Sequence, residues 1–149
     1  MENEGCKNPH FPFSIFNFPL NMIIGLGTDL CRIERVQVFL DRYGERFTRR
    51  CFTPAEIEQS TRHTPIRQAE RFAGLIAAKE AASKALGTGW RNGVHWKHFE
   101  VAHLPSGKPT LRIHGRAAEL ASQMGVTNAV VSITHDAGVA AATVIFEGD

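Results

Sequence analysis

The sequence lacks most of the features that would place it in a specialised structural class. It has only three cysteines among 149 residues, an odd number without a Cys-x-x-Cys spacing. A secreted disulfide framework is therefore disfavoured, and a reducing, cytoplasmic compartment is expected. The formal net charge is only +2. We expect neither nucleic acid nor a membrane as a partner, because both usually require a much larger excess of basic residues.

No internal repeat, low-complexity run or linker divides the chain, so a single domain is expected. A chain of this length buries roughly 70% of its unfolded surface, which is enough for a core without disulfides. Residues 1–21 differ from the rest. Their apolar stretch, residues 11–20, contains Pro12 and Pro19 and is too short to span a membrane. We expect residues 1–21 to form a poorly ordered arm and residues 22–149 to form the domain.

Hydrophobic patterns predict five strands and four helices in that domain. The strands are predicted at residues 22–26, 99–104, 110–113, 129–134 and 139–146. The helices are predicted at residues 31–43, for about two turns after Thr53, at residues 65–86 and at residues 115–124. Thr53-Pro-Ala-Glu56 is a capping box, Gly87 stops the alanine-rich long helix, and Asp136-Ala-Gly138 indicates a hairpin. This order predicts an α+β domain with a mainly antiparallel sheet packed against the long helix.

The first candidate functional motif is Gly25-Leu-Gly-Thr-Asp29 at the end of the first strand. Its glycines let the chain leave the strand tightly and direct Asp29 into a cleft. A dinucleotide-binding fingerprint is a weak alternative, since the third glycine is missing. A second alternative is that Asp29 simply caps the next helix.

The long predicted helix turns polar where its apolar stripe should continue. The stripe consists of Ala69, Phe72, Ala73 and Ile76, and its next four positions are Lys79, Glu80, Ser83 and Lys84. This change predicts the wall of a polar pocket, with an exposed Glu80–Lys84 pair as the alternative. Gly87 and Gly89 beyond the helix either let the backbone approach a ligand closely or only end the helix.

Two further features are ambiguous when taken alone. His135 ends an apolar strand beside the predicted hairpin, where it is either a proton donor or acceptor near physiological pH or a structural side chain. Residues 32–50 contain six arginines against three acidic residues. Because arginine recognises carboxylates and phosphates, this segment predicts an anionic partner, with a solvated helix face as the alternative.

In combination, the motifs resemble holo-acyl-carrier-protein synthases, the small trimeric branch of the 4′-phosphopantetheinyl transferases. The likeness covers residues 22–147. It is carried by residues 25–30 together with 33–36, and by residues 77–89, 107–109 and 131–135. The block Lys-Glu-Ala-Ala-Ser-Lys-Ala-Leu-Gly-Thr-Gly is highly specific, and the other motifs support it.

The resemblance implies transfer of the phosphopantetheine arm of coenzyme A to a serine of apo acyl carrier protein. Adenosine 3′,5′-bisphosphate is the other product. It further implies that Asp29 and Glu80 bind Mg²⁺, an ion that prefers oxygen ligands. Lys84 would contact the diphosphate, and Lys79 is a second candidate for a phosphate contact. The serine proton would pass to Glu80 or to a water on the metal, and the sequence does not choose between them.

The resemblance also implies where the two substrates bind. Coenzyme A would lie against Lys79, Lys84, Gly87, Gly89, Lys108, Pro109 and His135. The acidic carrier protein would meet Arg35 and Arg42 on the first helix. The family's active sites lie between neighbouring subunits, so a homotrimer is expected.

One position departs from the family pattern. The family commonly has arginine five residues before the metal-binding glutamate, where this chain has Leu75. Arg71, one turn earlier, would compensate for the missing charge, or affinity for coenzyme A would be lower. The departure also leaves open a non-catalytic module that binds carrier proteins or nucleotides on the same fold.

Overall fold

The computed structural model describes residues 21–149, so the expectation for the amino-terminal arm lies almost entirely outside the described residues. The helices are α1 (Ile33–Tyr43), α2 (Glu45–Cys51), α3 (Pro54–Thr61), α4 (Pro65–Leu86) and α5 (Gly115–Gln123). The strands are β1 (Met22–Arg32), β2 (Phe99–His103), β3 (Pro109–Ile113), β4 (Val126–Asp136) and β5 (Val139–Gly148). A short 3₁₀ helix, Trp96–His98, precedes β2.

Within the described range, the strands form two antiparallel sheets. One sheet has the order β1-β5-β4, and the other is the hairpin of β2 and β3. The predicted α+β class with antiparallel pairing is confirmed. Strand β1 runs six residues further than predicted, because its pairing with β5 continues to Arg32 opposite Val139. The sequence analysis did not predict α2.

Helix α4 is the centre of the fold. It packs against β1 and β5 on one side and against α1, α3 and β2 on others. Thirteen of its 22 residues are buried, so it is a core helix rather than an amphipathic surface helix. Among residues 21–149, no helix combines the length and hydropathy needed to cross a bilayer.

Strand β1 approaches α4 closely because it carries glycine where the two backbones meet. A Cβ atom added to Gly27 would lie 2.7 Å from the backbone nitrogen of Ala85 and would overlap the carbonyl of Ala81. One added to Gly25 would overlap the carbonyl of Ala85. Since alternate residues of a strand share a face, Asp29 continues this face and is held beside α4.

Substitution of Gly27 by alanine should therefore separate β1 from α4. We expect Gly27→Ala to lower the free energy of unfolding by about 1–3 kcal/mol or more, the usual cost of overpacking. Urea denaturation followed by circular dichroism measures the loss. Ser122→Ala, at an exposed position of α5, is the control and should change stability by less than about 0.5 kcal/mol. Equal stability of Gly27→Ala and the native chain would contradict the close approach.

Candidate active site

The end of β1 and the middle of α4 open into a common cavity of about 280 Å³, here called the acidic cavity. Asp29 and Glu80 both line it, although they lie far apart in the sequence. Apolar and sulfur-containing side chains form much of the remaining wall, together with Arg35. These are Leu30, Cys31, Val36, Phe39, Phe47, Cys51, Ile76 and Trp96. The fold thus brings together the two carboxylates that the sequence singled out.

Lys84 lies one helical turn after Glu80 on α4 and contacts Asp29. Its Nζ donates to Oδ1 of Asp29 at 2.8 Å and to the carbonyl of Thr28 at 3.0 Å. The Asp29 side chain is 20% exposed and that of Lys84 is 53% exposed, so the pair faces solvent. Within residues 21–149, the alternative Glu80–Lys84 ion pair is not formed, and the Glu80 carboxylate has no hydrogen-bond or ion-pair partner.

The pKa of the Cys31 thiol is affected by both carboxylates. Burial is the main reason that the pKa of its thiol is raised, and Arg35 opposes this effect. Asp29 and Glu80 each raise that pKa further through their negative charge. Both carboxylates therefore act on the same thiol.

The donor set fits a hard divalent cation such as Mg²⁺, because carboxylate oxygens are its preferred protein ligands. In the described part of the chain, no group of three or more histidine, cysteine or acidic side chains is placed to hold a metal. A cation at Asp29 and Glu80 would consequently need oxygen atoms from water or substrate to complete its shell.

The prediction that Lys79 contacts a phosphate is wrong. Its side chain is fully buried and forms an ion pair with Glu56 at 2.8 Å. Desolvation lowers the pKa of Lys79, and the Glu56 carboxylate opposes that shift. Ser83 is also buried, and its hydroxyl donates to the carbonyl of Glu80. The predicted polar wall of α4 is therefore limited to Glu80 and Lys84.

A second cavity of about 290 Å³, here called the basic cavity, lies beside Leu75. His135 and Pro109 line it, as expected for residues on one ligand site, whereas Lys108 in the exposed turn before Pro109 is not among its lining residues in the described chain. Three basic residues of this cavity were not predicted from the sequence, namely His63, Arg67 and His103.

Arg71 also lines the basic cavity, one helical turn before Leu75. Its Nε is buried and has no hydrogen-bond partner among the described residues. The pKa of His103 is lowered mainly by burial and secondarily by the positive charge of Arg71, so the two side chains are neighbours. An arginine is thus present in the cavity that Leu75 lines, one helical turn away from it.

The remaining predicted site residues lie at element ends and on the surface. Gly87 ends α4 in a left-handed conformation, with its N–H bonded to the carbonyl of Lys84, so its role as a helix stop is confirmed. An added Cβ atom at Gly87 or Gly89 would meet nothing within 4 Å. Arg35 and Arg42 are exposed on α1, with their guanidinium groups over Phe39 and Tyr43.

Comparisons with known proteins agree with this geometry. The family model of the 4′-phosphopantetheinyl transferase superfamily matches residues 25–144. The holo-[acyl-carrier-protein] synthase of Solibacter usitatus is 50% identical over 126 residues, which cover 85% of this chain and 99% of the relative. That of Vibrio cholerae is also 50% identical, over 85% of this chain and 98% of the relative.

Solved structures show the same fold. The Helicobacter pylori holo-[acyl-carrier-protein] synthase in complex with coenzyme A superposes with a TM-score of 0.71 at 27% identity, covering 81% of this chain and 98% of that one. The Bacillus anthracis synthase gives a TM-score of 0.72 at 32% identity, covering 86% of this chain and 99% of that one. Sequence, fold and site therefore agree that this chain belongs to the 4′-phosphopantetheinyl transferase superfamily, within its holo-[acyl-carrier-protein] synthase branch.

Proposed function

We propose that the acidic cavity is where this chain carries out the reaction of its family. The chain is a transferase that moves the 4′-phosphopantetheine group of coenzyme A to a serine of apo acyl carrier protein and releases adenosine 3′,5′-bisphosphate. The observation that carries the location is that Asp29 and Glu80 line one cavity, while Lys84 forms an ion pair with Asp29 at 2.8 Å.

Asp29 and Glu80 would hold Mg²⁺ through their carboxylate oxygens. When bound there, the ion would neutralise negative charge on the diphosphate and stabilise the charge that develops on the leaving bisphosphate. The support for this assignment is chemical: the two carboxylates share a cavity, and Glu80 has no competing cation among the described residues.

Lys84 would bind a diphosphate oxygen. Its ammonium group has one further N–H beyond those given to Asp29 and Thr28. Its half-exposed position lets an incoming phosphate compete for it. The pair with Asp29 also keeps the lysine over the cavity before the substrate arrives.

Glu80 is the protein group best placed to accept the serine proton. Its carboxylate is only partly buried and faces the acidic cavity. A general base must be within hydrogen-bond reach of the hydroxyl that it deprotonates. A carboxylate free of protein partners meets the requirement of an available lone pair.

The nucleotide end of coenzyme A would occupy the basic cavity. Arg67 and Arg71 provide positive charge for phosphate, against the single acidic residue Glu70 in the lining that the described residues form. Three histidines provide hydrogen-bonding nitrogens, and Leu75 provides apolar surface. The buried, unpartnered Nε of Arg71 supports its assignment as the replacement for the arginine absent at residue 75. Gly87 and Gly89 leave open space for the ligand between helix α4 and the following loop.

The carrier protein would dock on α1. Arg35 both lines the acidic cavity and is exposed on this helix, so it can contact a protein whose serine enters the cavity. Arg42 lies two turns further along the helix and extends the positive surface. Such a surface suits an acidic partner, because complementary charge speeds and orients docking.

A trimer with active sites between subunits is the assembly we propose. The acidic and basic cavities share no lining residue within residues 21–149, so one coenzyme A molecule is more easily held by two adjacent subunits. The sheet face away from α4 supplies an apolar contact surface. There Leu26, Ile145 and Val130 are aligned across the three strands, and Leu26 is 60% exposed. Sedimentation equilibrium measures the assembly, and a stable monomer with full activity would contradict it.

Two buried thiols support a cytoplasmic location as part of the proposal. Cys31 and Cys51 are free and buried, which is usual for proteins of a reducing compartment.

Transfer to the carrier protein should depend on both carboxylates. The native chain, incubated with coenzyme A, Mg²⁺ and apo acyl carrier protein, should add the mass of one phosphopantetheine group to the carrier. Asp29→Asn and Glu80→Gln should each lower kcat by about 10²-fold or more, because charge stabilisation in the transition state is lost. Mass spectrometry of the carrier over time measures both results.

Glu119→Gln, at an exposed acid on α5, is the matched control and should retain kcat and its dependence on Mg²⁺. An unmodified carrier with the native chain would contradict the assignment of the reaction. Full, Mg²⁺-stimulated turnover by Asp29→Asn would remove that residue from the metal site.

The two substrate surfaces should respond differently to substitution. Arg35→Glu should raise KM for the carrier by about tenfold and raise KM for coenzyme A by less, since an interfacial ion pair becomes a repulsion. Arg71→Leu should have the opposite pattern. Initial-rate kinetics with each substrate varied in turn measure both, and Arg91→Glu in an exposed loop is the control. Equal effects of one variant on both KM values would contradict its assignment.

A further inference from the structure

We propose that Lys79 is a positioning residue, which fixes the wall of the acidic cavity through Trp96 and Glu80. This inference rests on the proposed function, because it assigns a role behind the same cavity. It replaces the phosphate contact that the sequence suggested for this lysine.

Lys79 uses all three of its N–H groups in the protein interior. They are donated to Oε2 of Glu56 at 2.8 Å, to the carbonyl of Phe99 at 2.5 Å and to the carbonyl of Trp96 at 3.1 Å. The side chain is 0% exposed. An ammonium with three fixed acceptors defines one orientation of the backbone segments that supply them.

Glu56 extends this set of contacts to two further backbone segments. Its Oε1 accepts from the N–H of Val101 at 2.8 Å, and its Oε2 accepts from the N–H of Thr53 at 2.9 Å. The second bond is half of the capping box of α3. Helix α3, helix α4 and strand β2 are therefore joined at one buried ion pair, together with the 3₁₀ helix.

Two residues next to this ion pair, Trp96 and Glu80, line the acidic cavity. The carbonyl of Trp96 accepts a hydrogen bond from Lys79, and Trp96 also lines the cavity. Its ring also stacks on Trp90, with centroids 4.1 Å apart, so Trp96 is fixed both through its ring and through its backbone carbonyl. Glu80 directly follows Lys79 on α4, so fixing Lys79 to Trp96 and Phe99 sets the rotation at which Glu80 enters the cavity.

Energetics favour an orienting role over a stabilising one. The cost of desolvating both charges offsets much of the attraction within a buried ion pair, and apolar replacements of whole pairs are often neutral or stabilising. A pair of this kind has its main effect on which arrangement of the surrounding segments is adopted. Here those segments form one wall of the acidic cavity.

The test compares Lys79→Met, the double variant Glu56→Gln/Lys79→Met and the native chain. Lys79→Met keeps an unbranched side chain one atom shorter, removes the three N–H donors and leaves the buried Glu56 carboxylate without a cation. The double variant removes that unpaired charge, so it should fold even if the single variant does not. Leu111→Ala, a buried residue that lines neither cavity, serves as a destabilised control.

In both Lys79 variants, kcat should fall by about tenfold to a hundredfold, because small misplacements of a catalytic group are costly. KM for coenzyme A should change less than kcat, since the ion pair supplies no wall of the basic cavity that would hold the nucleotide end. The near-ultraviolet circular dichroism of the Trp90–Trp96 stack should weaken. The double variant should regain part of the lost Tm without regaining kcat.

A kcat that recovers together with Tm in the double variant would overturn the inference, as would native kcat in either folded variant. Leu111→Ala should lower Tm while keeping kcat at the assay temperature. The native chain is measured in parallel, so absence of transfer by the native chain refutes the proposed function. Native transfer with unaffected variants refutes only the positioning role.

Discussion

The contact between β1 and α4 is the constraint on which the site depends. Gly25 and Gly27 have no side chains where alanine carbonyls of α4 approach the strand, so the two backbones lie closer than any larger residue would permit. That approach brings Asp29 beside Glu80 and within hydrogen-bond distance of Lys84. Asp29 of β1 therefore lies near Glu80 and Lys84 of α4 because the two strand positions that face the helix are glycines.

Much of the architecture could be predicted because local signals agreed with the final packing. The capping box at Thr53, the alanine-rich segment of α4 and the Asp136–Gly138 hairpin all lie where the sequence placed them. The extension of β1 to Arg32 could not be predicted from its own residues, since pairing with β5 determines it. Helix α2 is only seven residues long, which is too short for a clear helical periodicity of hydrophobic residues.

Some site residues were predicted correctly and others were not, because the sequence does not show what each face of a helix contacts. Spacing along α4 identifies which residues share a face, but it does not show what that face meets. Lys79 lies on a face that reaches Glu56 in the interior, whereas Lys84 reaches solvent. The basic cavity joins segments from α4, the β2–β3 hairpin and β4, and no local pattern brings Arg67, His103 and His135 together.

The residues of the Lys79–Gly89 block consequently have two different roles, packing in the interior and forming the candidate site. Ala81, Ala82 and Ala85 are small because the helix is enclosed, and Lys79 is retained by an interior carboxylate. Only Glu80 and Lys84 of this block face the acidic cavity or its rim. Similarity across the block therefore measures mainly whether a homologue can accommodate the enclosed helix. A descendant that had lost its chemistry could retain most of this signature, and inspection of two side chains would distinguish it from a working enzyme.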